Sequence, residues 1–239
     1  MTASPIRIGV LLLAPIQLLD VASIDLFGML TKDYLEACRL PLALINGALP
    51  VEITYISEGG AGTIAESTAS AGLRVSAGLA DATSAPENLD ILFVPGPDPG
   101  MIPSEGAQTF LRSHMENKTT ILSVCTGIFP LAHAGIVKGK QATGPRPLLP
   151  ELEKKFPETQ WKDRRWVHDG HVWTSAGITN GMDMVAAYIR ETWPGPTAEA
   201  VLAMAGVGDR RAEYDSGQAR ENLWWLWQIL RAWYRGPSK

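Results

Sequence analysis

The chain has 239 residues, of which 46% are apolar and 19% charged, the composition of an ordinary globular protein with a substantial core. Its formal net charge of −4, without a long basic block, argues against nucleic acid as a partner. Two cysteines are too few for a disulfide scaffold, and no Cys/His cluster has zinc-ligand spacing, so we predict free thiols and no metal.

Short apolar runs alternate with longer segments of helical periodicity along the chain. Five runs rich in Val and Ile, bounded by Gly or Pro, predict buried strands at Ile6–Leu13, Val51–Ser57, Leu89–Val94, Thr120–Val124 and Val172–Ser175. Five segments predict helices at Leu18–Ala43, Ser104–Asn117, Gly127–Val137, Leu148–Phe156 and Asn180–Glu191, and the first of them allows interruptions. A hairpin is expected across Asp169-Gly170. The alternation predicts an α/β fold, a mostly parallel central sheet with helices on both faces.

The C-terminal segment Arg220–Tyr234 contains four tryptophans on a helical pattern. We favour a helix packed on its own domain; the alternative is a subunit contact, because Trp is enriched at interfaces. A membrane-surface helix is disfavoured because the polar face is not strongly basic. We therefore divide the chain into an α/β domain, residues 1–195, and a helical extension, residues 196–239, packed on the same domain or on a dimer partner.

Cys125 stands where the predicted strand Thr120–Val124 meets the next helix. Small residues at such a junction allow a sharp turn at the carboxyl end of the strand, where open α/β sheets place their sites. The N–H groups that open the helix would lower the thiol pKa and bind a developing oxyanion. We therefore predict a reactive Cys125, although a Cys in an apolar stretch is usually inert, and an inert Cys38.

The motifs around this turn resemble the ThiJ/PfpI superfamily. The chain carries three of them in the superfamily's order: Leu-Asp at 19–20, Val-Pro-Gly at 94–96 and Val-Cys-Thr-Gly at 124–127. The segment Thr174–Thr179, running on to Asp183, is most similar to the isonitrile hydratase branch. Over roughly Ile6 to Trp193, the resemblance implies a class I glutamine amidotransferase-like (flavodoxin-like) sandwich, a nucleophilic cysteine, a small-molecule substrate and a homodimer. No cofactor is implied, and the phosphate-binding glycine fingerprints are absent.

The same resemblance assigns roles to further residues. Asp20 occupies the position of a carboxylic acid that contacts the reactive cysteine in the family; it would stay protonated beside a thiolate and act as acid, then base. Its structural alternative is a helix N-cap. Thr126 would offer an oxyanion-binding N–H and a hydroxyl, or simply begin a helix. Asp183 matches an acidic position of the hydratase pattern, or is a first-turn residue favoured by the helix dipole. Gly96 and Gly127 complete the predicted oxyanion-binding set.

The sequence departs from the family pattern in two places. Many members have Gly-Gly where this chain has Gly96 followed by Pro97, which has no N–H to donate. No histidine stands at Thr126 or within residues 142–146, where relatives carry one, and we interpret His133 as a helix histidine with satisfied hydrogen bonds. These departures disfavour a Cys-His-Asp hydrolase and favour an addition enzyme that uses a cysteine and a carboxyl group.

Three functional hypotheses remain open. The first is a hydro-lyase similar to isonitrile hydratase: the Cys125 thiolate attacks the terminal carbon, Asp20 supplies the proton that nitrogen needs, and water releases a formamide. The second is a glyoxalase-like or biosynthetic tailoring enzyme with the same pair. The third is a non-catalytic redox sensor or ligand-binding protein. We expect a cytoplasmic location without membrane contact, since the N-terminal apolar run is too short to span a bilayer.

Overall fold

The computed structural model describes residues 4–235. Its strands are β1 (Ile6–Leu11), β2 (Val51–Ile56), β3 (Ile64–Glu66), β4 (Gly72–Arg74), β5 (Ile91–Val94), β6 (Thr120–Ser123), β7 (Gln141–Ala142), β8 (Gln160–Trp161), β9 (Trp166–Asp169) and β10 (Val172–Ser175). Its α-helices are α1 (Leu18–Ala22), α2 (Asp25–Gly28), α3 (Lys32–Ala37), α4 (Leu42–Ile45), α5 (Glu105–Glu116), α6 (Ile128–His133), α7 (Leu149–Lys155), α8 (Ile178–Thr192), α9 (Pro196–Met204) and α10 (Gln218–Arg235).

The central sheet has six strands in the order β2-β1-β5-β6-β10-β9. The first five run parallel, and β9 joins the edge antiparallel to β10 through a turn at Gly170, whose φ is +63°. Side chains alternate between two apolar layers: Val10 and Phe93 face one, Leu11 and Leu92 the other. Helices cover both layers, as predicted, and the carboxyl ends of β5 and β6 lie side by side at the sheet centre.

All five predicted strands form, and the predicted N-cap of α5 is confirmed, because Ser104 Oγ accepts a hydrogen bond from the Ala107 amide at 3.0 Å. The helical segment predicted from Leu18 to about Ala43, for which interruptions were allowed, forms four helices of four to six residues. The chain is extended at Thr31 and again at Pro41, where proline cannot continue a helix.

The helix predicted over Gly127–Val137 is shorter than expected. Gly127 belongs to a separate 3-10 turn, Cys125–Gly127, and α6 begins only at Ile128 and ends at His133. Gly135, with a φ of +79°, then turns the chain away as a glycine does after a helix. Helix α9 and the β3–β4 hairpin were not predicted from the sequence.

The predicted C-terminal helix is present as α10, and its packing on its own domain or on a dimer partner stays a prediction. Its four tryptophans are between 46% and 85% exposed, so this chain does not bury them. The first turn is attached to the α/β domain by an ion pair of 2.7 Å between Glu221 and Arg146. Within residues 4–235, no helix combines the length and hydropathy that a membrane crossing requires.

Candidate active site

The chain turns sharply at Cys125, between β6 and α6. The Val124 amide donates to the Val94 carbonyl at 3.0 Å, and Cys125 then adopts a φ of +56°, a left-handed conformation that is uncommon for a residue with a side chain. A Cβ added at Gly127 would lie 2.3 Å from the Val94 oxygen, so only glycine allows this approach. The predicted sharp strand-to-helix turn is therefore confirmed, with Cys125 at its apex.

Hydrogen bonds to the loop that follows β5 hold Asp20 beside this turn. The Gln17 amide donates to the Gly96 carbonyl at 2.9 Å, and the Gly96 amide donates to Asp20 Oδ2 at 3.1 Å. Asp20 is fully buried. It lies inside α1, whose N-cap is Gln17, so the N-cap alternative for Asp20 is wrong.

Gly96 allows three parts of the chain to converge. A Cβ at this position would lie 2.3 Å from Thr126 Oγ1 and 2.4 Å from Asp20 Oδ2. The Thr126 hydroxyl donates to the Pro97 carbonyl at 2.6 Å, which ties the cysteine turn to the same loop. The absence of a side chain at Gly96 therefore brings the Asp20 carboxyl and the cysteine turn into one small space.

The two ionisable groups of this space both favour their protonated forms. Burial raises the pKa of Asp20 to about 7, although hydrogen bonds from Gly96 and Cys125 oppose the shift. Asp20 Oδ1 accepts no hydrogen bond from the described residues. Burial, and then the nearby Asp20 carboxylate, raise the pKa of Cys125 to about 12, although the Thr126 amide and hydroxyl act in the opposite direction.

The expectation of a lowered Cys125 pKa is wrong, although the Thr126 amide does act in that direction. The thiol is half-buried and beside a carboxyl group, and desolvation outweighs what one amide supplies. The following helix, α6, has only six residues. The resting pair is therefore a neutral thiol and a carboxyl group that is about half protonated at neutral pH.

Two of the three predicted oxyanion donors already have partners. The Gly127 amide donates to the Val124 carbonyl at 2.9 Å, and the Gly96 amide donates to Asp20. Pro97 has no N–H. Of the predicted set, the Thr126 amide is the donor that faces Cys125.

Asp183 lies on α8, which packs beside the cysteine turn: a Cβ at Gly181 would lie 2.5 Å from Val124 Cγ1. Its Oδ2 accepts hydrogen bonds from Arg210 at 3.2 Å and from Asn180 at 3.4 Å. The groups that shift the pKa of Cys125 are Asp20 and Thr126, and Asp183 is not among them. The structure therefore brings Asp20 and Thr126 to the thiol and places Asp183 in an ionic contact with Arg210.

Sequence reasoning missed the segment that covers this part of α8. Tyr214 donates to Asn180 Oδ1 at 3.1 Å, and Arg210 pairs with Asp183, so residues of the C-terminal segment hold the first turns of α8. No local sequence pattern predicts these two hydrogen bonds, because their partners lie 27 and 34 residues apart along the chain. An Asn at the start of a helix was the one available signal.

His133 does not contribute a second functional group at the thiol. The expectation that its hydrogen bonds are satisfied is wrong, because its buried Nε2 has no partner among the described residues. Its ring instead meets the Phe156 ring edge to face, with centroids 5.1 Å apart. Burial lowers the pKa of His133, so an apolar contact on a neutral ring replaces the predicted polar one.

Comparison with known proteins places these features in a family. The family model described as "DJ-1/PfpI family" matches residues 34–191, which include the cysteine turn. An isonitrile hydratase from Pseudomonas putida is 39% identical over 119 residues, covering 47% of this chain and 50% of the relative. The HTH-type transcriptional regulator GlxA from Rhizobium meliloti (strain 1021) is 29% identical over 187 residues, covering 77% and 52%. The chain thus spans about half the length of these curated relatives.

Solved structures share the fold at low identity. Drosophila melanogaster DJ-1beta superimposes with a TM-score of 0.68 at 18% identity, covering 86% of this chain and all of that one. An AraC family transcriptional regulator from Pseudomonas putida has a TM-score of 0.68 at 16% identity, covering 84% of this chain and all of that one. With a family model matching more than half of its length and this sheet around its cysteine turn, the chain belongs to the DJ-1/PfpI family.

Proposed function

We propose that this chain is a hydro-lyase that adds water to a small electrophilic carbon, with isonitriles as the substrate class and Cys125 as the nucleophile. The observation that carries the proposal is the buried Asp20 carboxyl beside the Cys125 thiol, with a pKa raised to about 7. A carboxyl group that holds a proton near neutral pH can serve as a general acid. The likeness to an isonitrile hydratase supports the choice of substrate.

The first half of the proposed reaction forms a covalent thioimidate. The Cys125 sulfur bonds to the terminal carbon of R–N≡C, and the protonated Asp20 donates a proton to that carbon. The thiol proton passes to the Asp20 carboxylate, so the pair as a whole loses one proton. The product is R–N=CH–S–Cys125, and no oxidant or reductant is needed. Because the thiol pKa is about 12, its proton must leave during the attack rather than before it.

The second half hydrolyses the thioimidate. Water adds to the same carbon, the protonated Asp20 gives its proton to nitrogen, and the carboxylate accepts a proton from the water. The carbon–sulfur bond then breaks, the sulfur takes the hydroxyl proton, and R–NH–CHO leaves. The sum is R–N≡C plus water giving a formamide, and both groups return to their resting protonation.

The neighbouring residues support this chemistry in different ways. The Thr126 amide stabilises negative charge that develops on the sulfur. The Gly96 amide orients Asp20 through a hydrogen bond. The absence of side chains at Gly96 and Gly127 leaves room for the Asp20 carboxyl and the cysteine turn to approach each other. Asp183 is assigned a positioning role, because its carboxylate holds Arg210 and Asn180 and thereby the first turns of α8.

The decisive experiment combines turnover with trapping. The wild type is assayed against alkyl and aryl isonitriles for formamide by mass spectrometry, and acid-quenched samples are searched for a thioimidate on Cys125. We expect turnover and the adduct in the wild type, and neither in Cys125→Ala. Cys38→Ala is the matched control, since Cys38 is the chain's other free thiol and is exposed. Full turnover by Cys125→Ala would eliminate the proposal.

A second candidate, a ligand-binding regulatory domain, is favoured by two observations. A transcriptional regulator aligns with 77% of this chain, more than the hydratase does. A thiol whose pKa is raised to about 12 is a poor nucleophile at rest, which also weighs against a peroxide sensor. If isonitriles and the dicarbonyls of a glyoxalase-like enzyme are not turned over, while a small molecule raises the Tm of wild type and Cys125→Ser equally, this candidate replaces the first.

A further inference from the structure

Helix α10 presents an apolar stripe with the spacing of a helix–helix interface. Leu223, Leu226, Leu230 and Trp233 follow the three-and-four spacing of the a and d positions of a heptad repeat. Trp227 stands next to this stripe on the same side. All five side chains are exposed. We call these five residues the α10 stripe.

The α/β domain gives α10 little support of its own. Glu221 attaches the first turn through Arg146, and it lies on the side opposite the stripe. Gln228 on that same side and Arg231 at its edge are half-buried, and Arg231 donates a hydrogen bond to Gln228 at 3.5 Å. Among the described residues, Glu221 is the one residue of α10 in an ion pair with the α/β domain, and helices in proteins gain most of their stability from packing an apolar face.

The apolar area involved is large enough for an interface. Trp227 and Trp233 of the stripe, and Tyr234 on the same side of the helix, have exposed fractions of 58%, 85% and 90%. With about 200 Å² for each aromatic side chain, they expose on the order of 450 Å² before the leucines are added. A single exposed patch on a monomer is commonly no larger than about 300–600 Å². A standard interface takes about 800 Å² from each partner, which these aromatic side chains and the leucines of the stripe together approach.

We propose that the α10 stripe binds the α10 stripe of a second copy of this chain, forming a homodimer through paired helices. The stripe carries no charged residue, so two copies meet without like-charge repulsion, and a two-fold axis makes one patch serve both partners. A membrane surface fits less well: Arg220 and Arg231 are accompanied by Glu221, and the chain has a formal net charge of −4. The proposal is independent of the chemistry at Cys125.

The test is the mass of the full chain in solution. Sedimentation velocity and light scattering are run from about 1 to about 50 μM, the range in which mass action separates a specific dimer from a monomer. We expect twice the chain mass of 25.8 kDa for the wild type. Leu226→Glu and Trp233→Glu should each raise the dimer dissociation constant by at least about 100-fold, because each buries a charge between the two α10 stripes. A circular dichroism spectrum that matches the wild type over the bands of the α/β domain shows that each variant is folded.

Trp224→Glu is the matched control. It makes the same substitution on the same helix at an exposed residue outside the stripe, so it should leave the dimer intact. A wild type that is monomeric at about 50 μM would overturn the proposal. So would equal dissociation by Trp224→Glu and Trp233→Glu. Binding of a monomeric wild type to phosphatidylcholine–phosphatidylglycerol vesicles, lost in Trp233→Glu, would replace the second copy with a membrane surface.

Discussion

The cysteine turn and helix α10 place their most consequential side chains in opposite environments. At the turn, Cys125 and Asp20 come from distant parts of the chain and are enclosed by a loop that only a glycine permits. On α10, neighbouring tryptophans from one continuous segment stay exposed, and in the described part of the chain an ion pair between Glu221 and Arg146 joins its first turn to the α/β domain. The difference teaches that local periodicity can predict a helix, whereas a site with shifted pKa values requires convergence and burial.

The largest effect is expected from Asp20→Asn on turnover. The amide cannot donate and recover a proton, so we expect kcat/KM for isonitriles to fall about 10³-fold, the range typical of general acid–base groups. Since the protonated Asp20 is the active form, wild-type kcat/KM should fall as pH rises through about 7, and the variant should lack this inflection. A pH–rate profile of both proteins measures it. An inflection that persists in Asp20→Asn would assign the titration to another group.

The second prediction concerns stability against pH. Folding raises the pKa of Asp20 from 3.8 to about 7, so the folded chain keeps a proton that the unfolded chain releases. This contribution is complete below about pH 4 and is lost as pH rises to about 7, a change of roughly 3–4 kcal/mol in the free energy of unfolding. Urea unfolding between pH 4 and pH 8 measures it, with Asp20→Asn as control. Equal slopes in the two proteins would contradict the burial argument.

The third prediction tests the close packing of the turn itself. Gly127→Ala places a Cβ 2.3 Å from the Val94 oxygen, so the turn must shift and the free energy of unfolding should fall by about 1–3 kcal/mol. Gly208→Ala is the matched control, because its Cβ would meet no atom within 4 Å. Urea denaturation of the two variants gives the comparison. A neutral Gly127→Ala would mean that the turn is looser than described.

The smallest effect is expected where α10 is anchored. Glu221→Gln removes one of the charged partners of the buried Arg146, which retains Asp163, so the cost should be about 1 kcal/mol. Glu158→Gln, which removes an exposed pair with Lys138, should cost less than about 0.5 kcal/mol. Thermal unfolding separates the two variants. An equal effect would show that the anchor of α10 is no stronger than a surface ion pair.

The elements near the site differ in how far local pattern could predict them. Strand β10 has the predicted bounds, because Val172–Ser175 is a short apolar run ended by Gly177. The segment Leu18–Ala43 has helical spacing but bends at Thr31 and Pro41 to wrap the sheet, which its periodicity does not reveal. The motif at Cys125 predicted the turn, but not that burial would raise rather than lower the thiol pKa.

The amino-acid order by itself determined the alternation of strands and helices, the turn at Cys125 and the helix that carries the tryptophans, because each depends on side chains within a few residues of one another. Tertiary structure alone decided that Asp20 meets the thiol and that the tryptophans stay exposed. It also decided that the amides of Gly96 and Gly127 donate their hydrogen bonds to other partners. These outcomes depend on desolvation and on contacts between distant segments, and neither is encoded in local spacing.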